Sequence, residues 1–252
     1  MYLKGKIPSV DDVVRAQKLM DNTHVKRTPL LKSNTFSKSA KTNIFLKYES
    51  FQKTGSFKVR GAYSKINSLT DEQCKAGVIA ASAGNHAQGV AYAALKRNIK
   101  CNIVMPKNAS PAKVAATRSY GANVILSGDT YDESWKKADL LARENGYSII
   151  HAFDDPIVIA GQGTIGLELM EDLKDIDTVY LPLGGGGLAS GVCIAIKAKR
   201  PNVKIIGVES NQFPAMKKSL DNGRLCHITG GFTIADGISV KSPGELTFEI
   251  CS

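Results

Sequence analysis

The chain is short of the features that mark several protein classes. It has five cysteines (Cys74, Cys101, Cys193, Cys226 and Cys251), far apart and with no C-x-x-C pair. An odd, scattered set suits free thiols in a reducing compartment better than a disulfide framework or a zinc site. No apolar run approaches the roughly 20 residues that a membrane helix needs, and mean hydropathy is -0.12. The start, Met1-Tyr2-Leu3-Lys4-Gly5-Lys6, lacks the apolar stretch of a secretory signal. No Pro/Gly/Ser-rich linker, internal repeat or low-complexity tract divides the chain, so any second domain is joined by close connections. Acidic residues are the scarcer charge, 23 against 33 lysines and arginines, which gives a net charge of +10. The basic residues are scattered and no aromatic-interleaved basic stripe occurs, so the balance reads as a solvated surface rather than a nucleic-acid face. The expectation is a cytoplasmic protein without nucleic-acid or membrane partners.

What remains is an ordinary globular composition. The 252 residues, 43% of them hydrophobic, suffice for one large domain or two small ones. Short β-rich runs recur at 77–81, 101–105, 122–126, 147–150, 178–181 and 203–208. Continuous apolar runs predict strands buried on both faces of a parallel sheet. Helical spacing lies between them, as at Val59, Ala62, Tyr63 and Ile66, and at Trp135, Ala138, Leu141 and Ala142. The alternation predicts an α/β fold with right-handed crossovers. Near the end, Ser242-Pro243-Gly244-Glu245 reads as a helix start with a serine cap. The helix that follows stops after two turns, which reads as a truncated chain.

Three glycine-bearing segments compete as ligand sites. Gly184-Gly185-Gly186-Gly187-Leu188 follows an apolar strand and opens a helix. Successive unobstructed N–H groups at a helix start form an anion nest. Gly161-Gln162-Gly163-Thr164-Ile165-Gly166 matches G-x-G-x-x-G literally, but no strand precedes it and no acid lies where a dinucleotide ribose needs one. Close helix packing is the better reading, ahead of a nicotinamide site. Ser82-Ala83-Gly84-Asn85-His86 closes a strand and opens a helix, the junction where α/β sheets bind ligands. A carboxylate fits its hydroxyl, amide, imidazole and free N–H groups. Simple capping is the alternative there.

Lys58 stands at a helix start beside Phe57. The positive helix end, burial and the neighbours Lys53 and Arg60 all disfavour an ammonium and leave a free amine for condensation with a carbonyl. Taken alone, an exposed helix-start lysine is the commoner arrangement.

Together these segments resemble the fold type II pyridoxal-phosphate enzymes, above all the threonine dehydratases, with serine dehydratases and serine racemases as relatives. The resemblance spans nearly the whole chain and rests on 49–62, 82–89 and 182–188. It implies a tryptophan synthase β-like α/β fold with two open parallel-sheet domains and the cofactor in the cleft. The large domain is 1–66 with 153–252, its C-terminal part missing, and the small domain is 67–152. By the same resemblance, Lys58 holds pyridoxal 5'-phosphate as a Schiff base and later removes the substrate α-proton. Phe57 packs beside the ring, Asn85 bonds the 3-hydroxyl, and Gly184, Gly185, Gly186, Gly187 and Leu188 bind the phosphate. Ser82, Gly84, Asn85 and His86 line the substrate carboxylate pocket. The implied reaction takes L-threonine to 2-oxobutanoate and ammonia, with L-serine secondary. A homo-oligomer, dimer or tetramer, is implied for a complete chain. Racemases carry Ser where Ala83 stands, which counts against racemisation. Glu209 lacks the second acid of metal-binding relatives, so no metal site is expected. The rival is a truncated, inactive relative.

Overall fold

The computed structural model describes residues 6–20 and 22–252. The reading of Met1–Gly5 therefore lies outside the described residues. In chain order the elements are α1 (Val10–Leu19), β1 (Leu30–Lys32), α2 (Asn34–Ala40), β2 (Phe45–Lys47), α3 (Lys58–Asn67), α4 (Asp71–Ala76), β3 (Val78–Ala81), α5 (Asn85–Lys96), β4 (Cys101–Met105), α6 (Pro111–Ser119), β5 (Asn123–Leu126), α7 (Tyr131–Asn145), β6 (Ser148–Ile149), α8 (Pro156–Asp172), β7 (Thr178–Pro182), α9 (Gly187–Lys197), β8 (Lys204–Val208), α10 (Ala215–Asn222) and α11 (Glu245–Cys251). Among the described residues no helix is long and apolar enough to cross a membrane.

The six apolar runs become strands, but the expected burial on both faces holds for β3 and β4 and not for the rest: β7 alternates, with Tyr180 67% exposed, and most of β8 is exposed. Every residue of β3 and β4 is buried, which is why neither shows the alternation of a half-exposed strand. A parallel sheet of order β5-β4-β3-β6 results, and β7 and β8 pair in parallel as a second sheet. The register puts Val78 opposite Cys101 and Ser148, and Thr178 opposite Lys204. A small antiparallel ribbon of β1 and β2 precedes them.

Helix α8 packs against α1, α3 and α9. Its first-turn residue is Pro156 and its N-cap is Asp155, whose side chain accepts from the Ile157 and Val158 amides. Most of its length is buried, so it is apolar all round rather than amphipathic. The 161–166 glycines lie inside it, where small residues let helices touch. A Cβ on Gly161 would meet the Gly61 Cα of α3 at 2.7 Å, and one on Gly163 would meet the Gly191 carbonyl of α9 at 2.8 Å. Helix α3 is thereby seated directly on α8, with its first residue, Lys58, pointing into the site.

One cap differs from its sequence reading. The C-terminal helix begins at Glu245 with Gly244 as N-cap, not at Ser242. The anchor comes from far away: the Asp154 carboxylate accepts from the Glu245 and Thr247 amides, both at 3.1 Å. A remote acid thus satisfies the orphan donors, and Gly244 lets it approach, because a Cβ there would collide with the Asp154 side chain.

Candidate active site

The site is assembled around the segment Ile150-His151-Ala152-Phe153-Asp154-Asp155, which leaves β6 and enters α8. Lys58 Nζ donates to the Ala152 carbonyl at 2.7 Å and lies 5.5 Å from the Phe57 ring centroid. Burial lowers its pKa from 10.5 to about 8. Arg60 contributes nothing to this shift, contrary to the sequence argument, because its charge is consumed elsewhere. Its guanidinium, 1% exposed, donates to Glu49 at 2.7 and 2.8 Å and to Glu168 at 2.6 and 3.0 Å. Lys47 also reaches Glu168, at 2.7 Å. This buried ion cluster ties the segment before α3 to α8 and holds Lys58 in place.

The anion turn stands close by. Gly186 has φ +98°, a left-handed conformation that turns the chain into α9. The N–H groups at the start of α9 have no intrahelical acceptors and carry the positive helix end. Side chains are excluded by close neighbours. A Cβ on Gly185 would strike the Phe153 ring, on Gly186 the Thr247 Cβ at 2.6 Å, and on Gly187 the Phe153 Cα at 2.9 Å. Thr247 Oγ1 donates to the Gly185 carbonyl at 2.6 Å and fixes the turn from below. Ala152 therefore receives the amine while its neighbour Phe153 walls the glycine turn. The hydrogen bond, the Ala152–Phe153 peptide and the packing of Phe153 on Gly187 together put the amine within about 10 Å of the Gly187 Cα.

The third motif forms the opposite wall. Ser82 Oγ accepts from the Gly84 amide at 3.2 Å. Asn85 is exposed at the start of α5, and space in front of Gly84 is open to at least 4 Å. The His86 side chain is 3% exposed and Nε2 lies 2.9 Å from the Ile150 carbonyl. Burial is the main reason its pKa falls from 6.5 to about 3, with the Lys58 charge second, so the ring is neutral and donates through Nε2. Nδ1 is buried with no partner. His86 thus presents backbone, not a charged ring, to an anion. Lys58 and His86 bond the carbonyls of Ala152 and Ile150, two positions apart in one short segment.

Sequence reasoning missed two parts of this site. Asp154-Asp155-Pro156-Ile157 reads as turn-like from sequence and 151–153 carry no reading, although Asp155-Pro156 has the signature of a helix start. The ion cluster had one signal: Glu168 is a lone charge within the otherwise uncharged stretch 157–170, and a buried charge requires partners. Glu209 is a cap, accepting from the Met216 and Lys217 amides at 2.9 Å each.

Residues 22–252 match the family model described as pyridoxal-phosphate dependent enzyme. The chain belongs to that family. It is 51% identical over 242 residues to the L-threonine ammonia-lyase of Thermotoga maritima, covering 96% of this chain and 60% of that protein's length. It is 46% identical over 252 residues to the catabolic L-threonine dehydratase TdcB of Escherichia coli K12, covering 99% of this chain and 76% of that one. Among solved structures, maize serine racemase superposes with a TM-score of 0.93 at 36% identity, over 97% of this chain and 74% of that one. The processed threonine deaminase isoform 2 of Solanum lycopersicum gives 0.92 at 39% identity, over 100% and 71%. The residues present fit the family's cofactor. An amine of lowered pKa meets an aldehyde, the α9 N-terminus with its glycines meets a phosphate, and the apolar Phe57 and Phe153 meet a flat ring.

Proposed function

We propose that this chain provides the cofactor site of a pyridoxal-phosphate-dependent ammonia-lyase that converts L-threonine to 2-oxobutanoate and ammonia, with L-serine as a secondary substrate. The observation that carries the reading is the Lys58 amine, lowered to about 8 and set next to the glycine turn through Ala152 and Phe153. At pH 8 about half of such an amine is uncharged, about 150-fold more than for an ordinary lysine.

Lys58 is the covalent attachment point. Gly184 to Leu188 hold the phosphate through backbone N–H groups, Phe57 packs beside the ring and Asn85 bonds its 3-hydroxyl. Ser82, Gly84, Asn85 and the His86 backbone receive the substrate carboxylate. When bound, pyridoxal phosphate supplies an electron sink for the negative charge left at the substrate Cα. With the cofactor bound, Lys58 Nζ would be the base placed to take the α-proton of the substrate. Loss of the β-hydroxyl as water then gives an enamine that hydrolyses to the 2-oxo acid. Neutral His86 leaves the Lys58 amine as the one proton carrier among these residues. Residues 1–66 and 153–252 form one domain and 67–152 the other, in a cytoplasmic homo-oligomer.

The racemase alternative has the maize neighbour in its favour, but it needs a proton donor where Ala83 presents a methyl packed against the buried cluster that includes Val59, Ala80 and Val90. The experiment is 2-oxobutanoate release by the purified chain with added pyridoxal phosphate, alongside borohydride trapping and peptide mapping. Trapping at Lys58, with turnover and visible absorbance lost in Lys58→Ala, is expected. Turnover retained in Lys58→Ala overturns the assignment, and trapping without turnover marks an inactive relative.

A further inference from the structure

A glycine turn binds an anion only while its N–H groups face the ligand and its carbonyl oxygens face elsewhere. The peptide joining Gly185 and Gly186 has glycine on both sides, so no Cβ hinders its rotation. Its oxygen is nevertheless held. The Gly185 carbonyl accepts from Thr247 Oγ1 at 2.6 Å and from the Gly244 amide at 3.4 Å. The next carbonyl, that of Gly186, accepts from the Ser190 amide at 2.9 Å. The N–H groups of Gly186, Gly187 and Leu188 donate to no protein acceptor among the described residues. The turn has its oxygens bonded to the protein and its donors left for a ligand.

A trans peptide points its C=O and N–H in opposite directions. Pinning the Gly185 oxygen against α11 therefore leaves the Gly186 N–H on the side away from α11, unpartnered like its two successors. The pin itself is firmly seated. Thr247 is 0% exposed, and its Oγ1 accepts from the Gly244 amide at 3.0 Å while donating to Gly185. Its backbone is tied to the Asp154 carboxylate, which accepts from the Glu245 and Thr247 amides. The Asp154 amide in turn donates to His151 Nδ1 at 2.7 Å, in the segment whose Ala152 carbonyl receives Lys58.

We propose that Thr247 is a positioning residue for the cofactor's phosphate. Its hydroxyl locks the Gly185–Gly186 peptide with the N–H towards the anion and makes the site select the phosphorylated cofactor over the same ring without phosphate. Without the hydroxyl the peptide is free to turn, and a turned peptide presents a carbonyl oxygen where the anion needs a donor. Thr247 acts in this way only if Gly184 to Leu188 receive the phosphate, as proposed above.

The test measures binding rather than turnover. The parent, Thr247→Val and Thr247→Ser are titrated with pyridoxal phosphate and with pyridoxal, and the visible absorbance of the bound aldehyde reports occupancy. Both aldehydes meet the same amine, so the ratio of their dissociation constants, compared between variants, isolates the phosphate. The parent is expected to favour pyridoxal phosphate. Thr247→Val should bind pyridoxal phosphate roughly 10- to 100-fold more weakly, the range for a lost hydrogen bond to a charged group, and should bind pyridoxal as the parent does. Thr247→Ser keeps the hydroxyl and should restore the parent ratio. A loss shared equally by both aldehydes makes Thr247 a fold residue only and overturns the proposal, and so does a Thr247→Val ratio equal to the parent's. A parent that does not favour pyridoxal phosphate overturns the phosphate reading and this proposal with it. In parent protein labelled with ¹⁵N-glycine, the Gly186 amide resonance should shift with pyridoxal phosphate and not with pyridoxal. This reads the peptide without a substitution, so a Gly186 amide that ignores the phosphate overturns the proposal even where Thr247→Val fails to fold.

Discussion

Replacing Arg60 with Met tests whether the buried ion cluster holds the amine-bearing helix. The guanidinium is 1% exposed and donates to Glu49, Glu168, Thr164 and the Lys26 carbonyl. Methionine fills most of the volume but leaves the two carboxylates unequally placed. Glu168 keeps Lys47 at 2.7 Å. Glu49 keeps only neutral donors, the Thr28 hydroxyl at 2.6 Å and the Gln52 amide at 3.2 Å. One carboxylate is therefore stranded, and breaking a buried pair in this way costs about 3–5 kcal/mol. For a chain of this size that lowers the melting temperature by roughly 6–9 °C. The double variant Arg60→Met/Glu49→Gln removes the stranded charge and should regain about half of the loss. Urea unfolding followed by circular dichroism measures both, with cofactor held saturating or absent throughout, because a bound ligand adds its own stability. A loss below about 1 kcal/mol for Arg60→Met, or no recovery in the double variant, refutes the cluster as a stabilising clamp.

Two further perturbations probe the framework. His86 has a folded pKa of about 3 against 6.5 in the open chain, so its contribution is fully present above pH 6.5 and is lost as pH falls towards 3. Between pH 7 and 5 the parent should lose about 2 kcal/mol more than His86→Asn, and equal slopes in denaturant titrations would refute the buried neutral ring. At Gly191 a methyl group would collide with the Ile159 carbonyl and stand 2.5 Å from the Gly163 amide. Both are backbone atoms of a packed helix, so Gly191→Ala should cost about 3 kcal/mol or more; a change within about 0.5 kcal/mol would show that α8 and α9 are not locked together.

Strands β3 and β4 were legible because a strand buried on both faces is largely apolar, whereas β7 shows the same kind of run with exposed positions, so the run marked the strand but not its burial. The glycines of 161–166 were legible as packing, since a nucleotide reading demanded a preceding strand that the sequence lacks. The partners of charges were not legible. Arg60 stands two residues from Lys58 in the sequence, yet its field is cancelled by Glu49 and Glu168, the latter 108 positions away. The start of α11 failed for the same reason: local cap chemistry pointed to Ser242, while the acid that satisfies its amides is Asp154, 91 positions before Glu245. Local rules name the donors that need an acceptor, but only the folded chain shows which distant acceptor arrives.

The Ala152–Phe153 peptide sits under both ends of the ligand site. The spacing between the nucleophile and the anion grip is thereby set by one peptide together with the hydrogen bond and the packing contact at its two sides. Inserting or deleting one residue at this point moves the acceptor of the amine relative to the wall of the glycine turn by about 3.3 Å.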